Sequence, residues 1–130
     1  MVKGPMNRII LWIIVAFVAS MIYGGYQYAV SSAYRVSSEK AKEMIEKNEV
    51  DAILDVRTDL ERSTLGYYPG STHLPGADLE HRMSAEYPNK NARIIVYCNT
   101  GHRARMATDA LQQMGYHNAR YISSTYASLL

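Results

Sequence analysis

From Ile9 to Val30 the chain carries no charged side chain, and the stretch Ile9-Ile10-Leu11-Trp12-Ile13-Ile14-Val15-Ala16-Phe17-Val18-Ala19 is almost wholly apolar. As a helix rising about 1.5 Å per residue, the run reaches about 33 Å, which matches a hydrocarbon core of about 30 Å. The flanks suit a bilayer, with Trp12 near one end, Tyr23, Tyr26 and Tyr28 near the other, and Lys3 and Arg8 ahead of the run. A continuous apolar run behind a short basic start argues against a buried core helix. Two membrane-directed readings remain. One is a retained single-pass anchor through residues 9–30; the other is a cleaved export signal, with small residues at Val18-Ala19-Ser20 or Ser31-Ser32-Ala33. The run exceeds the usual signal core of about 7–15 residues, which favours the anchor. Lys3, Arg8 and the α-amino group then hold the N-terminus in the cytoplasm and send the rest to the periplasmic side, a bias that Lys40, Lys42 and Lys47 partly oppose. The cleaved alternative leaves a soluble periplasmic protein.

The chain therefore divides into residues 1–33, an anchor or signal segment, and residues 34–130, a single domain. Of 14 Lys+Arg and 12 Asp+Glu in the whole chain, only Lys3 and Arg8 precede residue 34, so the domain is formally neutral. Such a balance offers no basic face for nucleic acid.

Within the domain, helical and strand-like patterns alternate. Ser31 to Val36 reads as a short linker. Ser37 or Ser38 can cap a helix from Glu39 to about Lys47, with Ala41, Met44 and Ile45 as its apolar stripe and Asn48 as its stop. Ala52-Ile53-Leu54 reads as a buried strand that delivers Asp55 and Arg57 at its end. Thr58 to Ala77 reads as loop, broken by Gly66, Pro69-Gly70 and Pro75-Gly76. Leu79 and Met83 suggest a turn or two of helix, and Ile94 to Tyr97 a second strand. Ala107, Ala110, Leu111 and Met114 recur at i, i+3, i+4 and i+7 in a helix that Gly115 ends. Asn118 to Ile122 makes a last strand. The alternation predicts an α/β domain with an open, mostly parallel sheet flanked by helices, preceded by the N-terminal transmembrane or signal helix.

Cys98, the single cysteine, closes the strand Ile94–Tyr97 and opens the loop Asn99-Thr100-Gly101-His102-Arg103 before a helix. A helix start leaves backbone N–H groups unpaired, and they face one small volume. The positive end of that helix and Arg103 both favour a thiolate there. A nucleophile would thus coincide with an anion site. The competing reading makes Cys98 a small buried hydrophobe; the polar loop behind it argues for use rather than burial.

Three motifs in order carry a resemblance: Leu54-Asp55-Val56-Arg57 with Glu61; Gly70 with His73-Leu74-Pro75-Gly76-Ala77; and Val96-Tyr97-Cys98-Asn99-Thr100-Gly101-His102-Arg103-Ala104. The chain resembles the rhodanese (thiosulfate sulfurtransferase) family, and within it the small exported single-domain type. The resemblance implies that Cys98 attacks the outer sulfur of thiosulfate, carries it as a persulfide and passes it to cyanide or a thiol, without a cofactor or a metal. It implies substrate contacts at Arg103, Arg57, Asn99, Thr100, Gly101 and His102, with Asp55 and Glu61 as structural support. Arg57 has a second reading, pinned to Asp55 or Glu61. Loop length separates this chemistry from that of Cys-x5-Arg phosphatases, because Arg103 is five residues after Cys98 and the sixth is Ala104. Two alternatives to small-molecule turnover are a persulfide carrier that serves a protein acceptor and a non-enzymatic binding module. One departure stands out. Where the family has a Gly-Gly turn and a tryptophan-bearing helix, this chain has Ser123-Ser124-Thr125-Tyr126, which predicts an exposed sheet face or an altered wall of the site, with Tyr126 in part of the tryptophan's place.

Overall fold

The computed structural model describes residues 4–130; the expectation placed on Lys3 lies outside these. Helix α1, Gly4–Val30, is a single unbroken helix, long and apolar enough to cross a membrane. Trp12, Phe17 and Ile22 are exposed along it, and only its last turn is buried against the rest of the chain, at Ala29.

The segment expected to be a linker is tied down. Arg35 bridges in parallel to Tyr121, the Tyr121 N–H donates to the Tyr34 carbonyl at 3.1 Å, and the Val36 N–H to the Tyr121 carbonyl at 2.9 Å. Helix α2, Ser38–Glu46, starts where its cap predicts: the Ser37 hydroxyl accepts from the Lys40 N–H at 3.1 Å. It stops as expected at Asn48, which takes a left-handed φ of 56°.

Strands β1 (Ala52–Asp55), β2 (Thr72–His73), β3 (Ile94–Tyr97) and β4 (Ala119–Tyr121) form one parallel sheet in the order β2-β1-β3-β4. The period of two along β3 divides the core. Ile94 and Val96 pack with Met83 and Leu79 of α4 (Leu79–Glu86) and with Ala104, Ala107 and Leu111 of α5 (His102–Gln113). Ile95 and Tyr97 face the other way, against Ala41 of α2, Ile122 and Leu129. That second face is covered rather than exposed, because a 3-10 turn at Tyr126–Leu129 brings Leu129 onto it.

A helix and a short strand arise in the stretch expected to be loop, which ends in a 3-10 turn at Gly76–Asp78. Helix α3, Asp59–Leu65, is opened by a reciprocal cap in which Thr58 and Glu61 each satisfy the other's backbone N–H. Strand β2 is only two residues long and is drawn into the sheet by β1, a pairing that no local periodicity announces. All four strands point the same way, so the ends of β1 and β3 deliver Asp55 and Cys98 to one edge, as expected for a parallel sheet.

Candidate active site

Cys98 follows β3 directly and is 1% exposed, so the thiol lies at the floor of a cradle rather than in an open loop. The expectation that the polar loop keeps Cys98 out of the core is not met: it packs in the buried cluster with Val96 and Ala104, while its sulfur also faces backbone donors. The Gly101 N–H donates to Sγ at 3.1 Å and the Ala104 N–H at 3.4 Å. Ala104 is the third residue of α5, and Gly101, the cap residue, has no side chain to offer. The sulfur thus takes the position that a serine or aspartate oxygen holds at an ordinary helix start, where an anion is favoured. Gly101 makes this possible with a φ of +100°, which turns the loop back over the sulfur. Ala104 was not among the expected contacts; its helical register relative to Cys98 was the available signal.

Asn99 and Thr100 form the outer loop, Thr100 and His102 being exposed. Asn99 links two layers: its Oδ1 accepts from Arg57 Nη1 at 3.3 Å, and its Nδ2 donates to Glu61 Oε1 at 3.1 Å. Arg103 points at Glu61 with both terminal nitrogens, Nη1 to Oε2 at 2.7 Å and Nη2 to Oε1 at 2.8 Å. Hydrogen bonds from Arg103, then from the Thr58 backbone, hold the Glu61 carboxyl well below the usual carboxylate range. The Arg103 side chain is still 41% exposed, and a guanidinium has more N–H groups than these two bonds use. The arginine that Glu61 meets is therefore Arg103, and the same carboxylate accepts from Asn99 of the cysteine loop.

Arg57 follows the pinned reading. It is 1% exposed, and Nε and Nη2 grip the two oxygens of Asp55 at 2.9 Å each, while Nη2 also donates to the Gly66 carbonyl at 2.6 Å. With Nη1 on Asn99, four of its five N–H groups are engaged inside the protein. Asp55, fully buried, also accepts from Arg62 Nη1 at 3.1 Å and from the Tyr97 hydroxyl at 3.0 Å. Burial alone would raise the Asp55 carboxyl, but the hydrogen bonds and charge of Arg57, with the Tyr97 hydroxyl, outweigh it and hold the pKa below its ordinary value. Arg62 was not anticipated from the sequence. It braces the hub from α3, donating to the Ser71 hydroxyl and carbonyl at 3.1 Å each, over the Tyr67 ring at 3.8 Å.

Tyr126 stands over the far side of this hub, its ring 5.6 Å from the Arg57 guanidinium and its hydroxyl donating to the Leu65 carbonyl at 3.3 Å. Ser123 backs the cysteine loop so closely that a Cβ on Gly101 would lie 2.7 Å from Ser123 Cα. The C-terminal segment that departs from the expected motif thus forms a wall of the site. A largely apolar cleft of about 530 Å³, lined neither by that segment nor by Cys98, runs from Val56 and Arg57 past Pro75–Ala77 to Arg103 and Met106.

The site is thus a thiol seated on a helix start at the C-terminal edge of a parallel α/β sheet, flanked by an arginine clamped to a glutamate. The family model of the rhodanese-like domain matches residues 37–128, and the chain belongs to that family. It is 32% identical over 63 residues to the thiosulfate sulfurtransferase PspE of Escherichia coli K12, an alignment that covers 48% of this chain and 60% of that protein. The human single-domain sulfurtransferase TSTD1 superposes with a TM-score of 0.63 at 24% identity, over 75% of this chain and 95% of that one. A protein of unknown function from Rhodopseudomonas palustris, described as a possible tyrosine phosphatase, gives a TM-score of 0.69 at 22% identity over 83% and 87% of the two chains. The last two likenesses speak for the fold alone.

Proposed function

We propose that this chain is a membrane-tethered sulfurtransferase that takes sulfane sulfur from a small anionic donor such as thiosulfate and passes it, through a Cys98 persulfide, to cyanide or a thiol. The observation that carries this reading is the pair of backbone N–H groups aimed at Sγ from the start of α5. They favour the attacking thiolate, and equally the persulfide anion that replaces it. The thiolate bonds to the outer sulfur of the donor, the donor's S–S bond breaks, and sulfite leaves with the bonding pair. The acceptor then attacks the terminal sulfur and Cys98 leaves as thiolate. Arg103, held at one edge by Glu61 and exposed at the other, meets the donor oxygens. A six-residue loop from Cys98 to Arg103 favours sulfur over a phosphoryl group, which the longer phosphatase loop surrounds.

A protein acceptor is the second reading. Leu60 and Leu65 stand 71% and 57% exposed on α3, the helix whose Glu61 holds the loop, and would suit a docking partner.

The test uses the full chain in detergent, incubated with thiosulfate and weighed intact. A gain of one sulfur, absent from Cys98→Ser, is the expected result; no gain in the wild type would overturn the proposal. Rapid thiocyanate release on adding cyanide marks turnover on small molecules, and a persulfide that resists cyanide marks the carrier.

The reading includes a retained α1 with the domain on the periplasmic side. Protease added to intact spheroplasts is expected to digest the domain, and protection would place it in the cytoplasm instead.

A further inference from the structure

Helix α1 does not end in a slack tether but against the cysteine loop. The Arg105 guanidinium, in the first turns of α5, lies over the Tyr28 ring at 4.0 Å. It donates through Nη1 to the Tyr28 carbonyl at 2.5 Å and to the Ser31 hydroxyl at 3.3 Å. On the neighbouring side, the Tyr28 ring meets the His102 ring with centroids 4.7 Å apart. The next residue, Ala29, is buried; its carbonyl accepts from the Tyr121 hydroxyl at 2.5 Å, and its Cβ would lie 3.4 Å from a Cβ on Gly101.

The physical logic is that of a helix end. The last carbonyls of α1 have no partners within the helix and carry its negative pole. Arg105 and Tyr121 supply the missing donors, and Arg105 adds a positive charge. An anchor that merely held the domain at a membrane would need none of these contacts. Here they fall on His102 and Arg105, the first and fourth residues of α5, directly after the Gly101 whose N–H faces the sulfur.

We propose that Tyr28 is a positioning residue of the cysteine loop. Held between His102 and Arg105, it keeps the Gly101 N–H directed at Cys98, so the form competent in sulfur transfer is the chain that retains the end of α1. A chain cut at Ser31-Ser32-Ala33 would lack that support. The proposal rests on the sulfurtransferase reading, yet one of its measurements stands apart from it.

The experiment compares wild type, Tyr28→Ala, Tyr28→Phe and the control Tyr26→Ala, whose side chain is exposed, all as full chains in detergent. The first measurement is thiosulfate-to-cyanide turnover with kcat and KM separated. The second is hydrogen exchange of the Asn99–Ala104 amides, which requires no sulfur chemistry. In Tyr28→Ala, kcat is expected to fall about tenfold with KM for thiosulfate within about twofold, because a small displacement of the Gly101 N–H from the sulfur slows the step without removing Arg103. Loop exchange should rise about tenfold, as a clamp is lost from a locally opening segment. Tyr28→Phe, which keeps the ring and the carbonyl, should restore both, and Tyr26→Ala should change neither. Wild-type kcat or wild-type loop exchange in Tyr28→Ala overturns the proposal. A wild type without turnover sinks the sulfurtransferase reading instead, and the exchange data still decide whether Tyr28 holds the loop.

Discussion

Asp55→Asn is expected to destabilise the protein by about 3–5 kcal/mol, the usual consequence of removing one partner of a buried ion pair. For a domain of this size that corresponds to a melting temperature lower by roughly 15 °C or more. The reason lies in what Asp55 holds. One fully buried carboxylate accepts from the Arg57 side chain and backbone, from Arg62 and from Tyr97. Asparagine keeps the shape but offers one acceptor, and it leaves the guanidinium of Arg57, 1% exposed, without a counter-charge. The loss should spread to the site, since Arg57 also holds Asn99 and the Gly66 carbonyl. Near-UV circular dichroism of the tyrosines during thermal unfolding in detergent would measure it. Melting within about 1 kcal/mol of wild type would show that the hub is dispensable.

The sign of the pH dependence follows from the same carboxylate. Its folded pKa lies below its unfolded value, so its contribution is complete above an unfolded carboxyl pKa of about 4 and is lost as pH falls through the folded value. Wild type should therefore lose stability on acidification below about pH 4, and the gap to Asp55→Asn should narrow there.

Gly101→Ala should damage both folding and reactivity. The position has φ +100°, and its Cβ would lie 2.7 Å from Ser123 Cα and 2.8 Å from Ser123 Cβ, contacts that backbone must yield to relieve. Left-handed strain costs on the order of 1 kcal/mol, and the overpacking adds about 1–3 kcal/mol. Any retreat of the loop also withdraws the N–H that faces Sγ at 3.1 Å, so sulfur uptake from thiosulfate should slow about a hundredfold. Gly70→Ala separates the two causes. It shares a positive φ, +87°, but its Cβ would meet nothing within 4 Å, so it should lose only the strain and leave sulfur uptake intact. Equal losses in the two variants would mean that the contact with Ser123 is unimportant.

Much of this molecule is legible in its residue order because the determinants are local. Ser37 before an amphipathic run announces α2, the 3.6-residue recurrence of Ala107, Leu111 and Met114 announces α5, and the four consecutive apolar residues Ile94–Tyr97 just before Cys98 announce β3. The capping box Thr58-x-x-Glu61 was equally local, and it opens α3 in a stretch whose glycines and prolines suggested only loop. Strand β2 was not legible: two residues have no periodicity, and only β1 makes them a strand. Ser123 to Leu130 could not be placed either, since the interest of Leu129 lies in the distant Ile95 and Tyr97 that it covers.

For the candidate site, the order of residues placed the thiol, the glycine turn and the arginine on one loop, because a strand-to-helix junction determines by its own geometry where unpaired N–H groups point. The pairing of charges belonged to the tertiary structure. Arg57, Arg62 and Arg103 are chemically equivalent as text, and which one meets Asp55 or Glu61 depends on how α3 and α5 lie across the sheet edge. The same holds for α1. Its apolar length, sufficient to span a bilayer, was set by the sequence alone, whereas the docking of Tyr28 on His102 and Arg105 joins residues more than seventy positions apart and exists only because the chain folds back on itself.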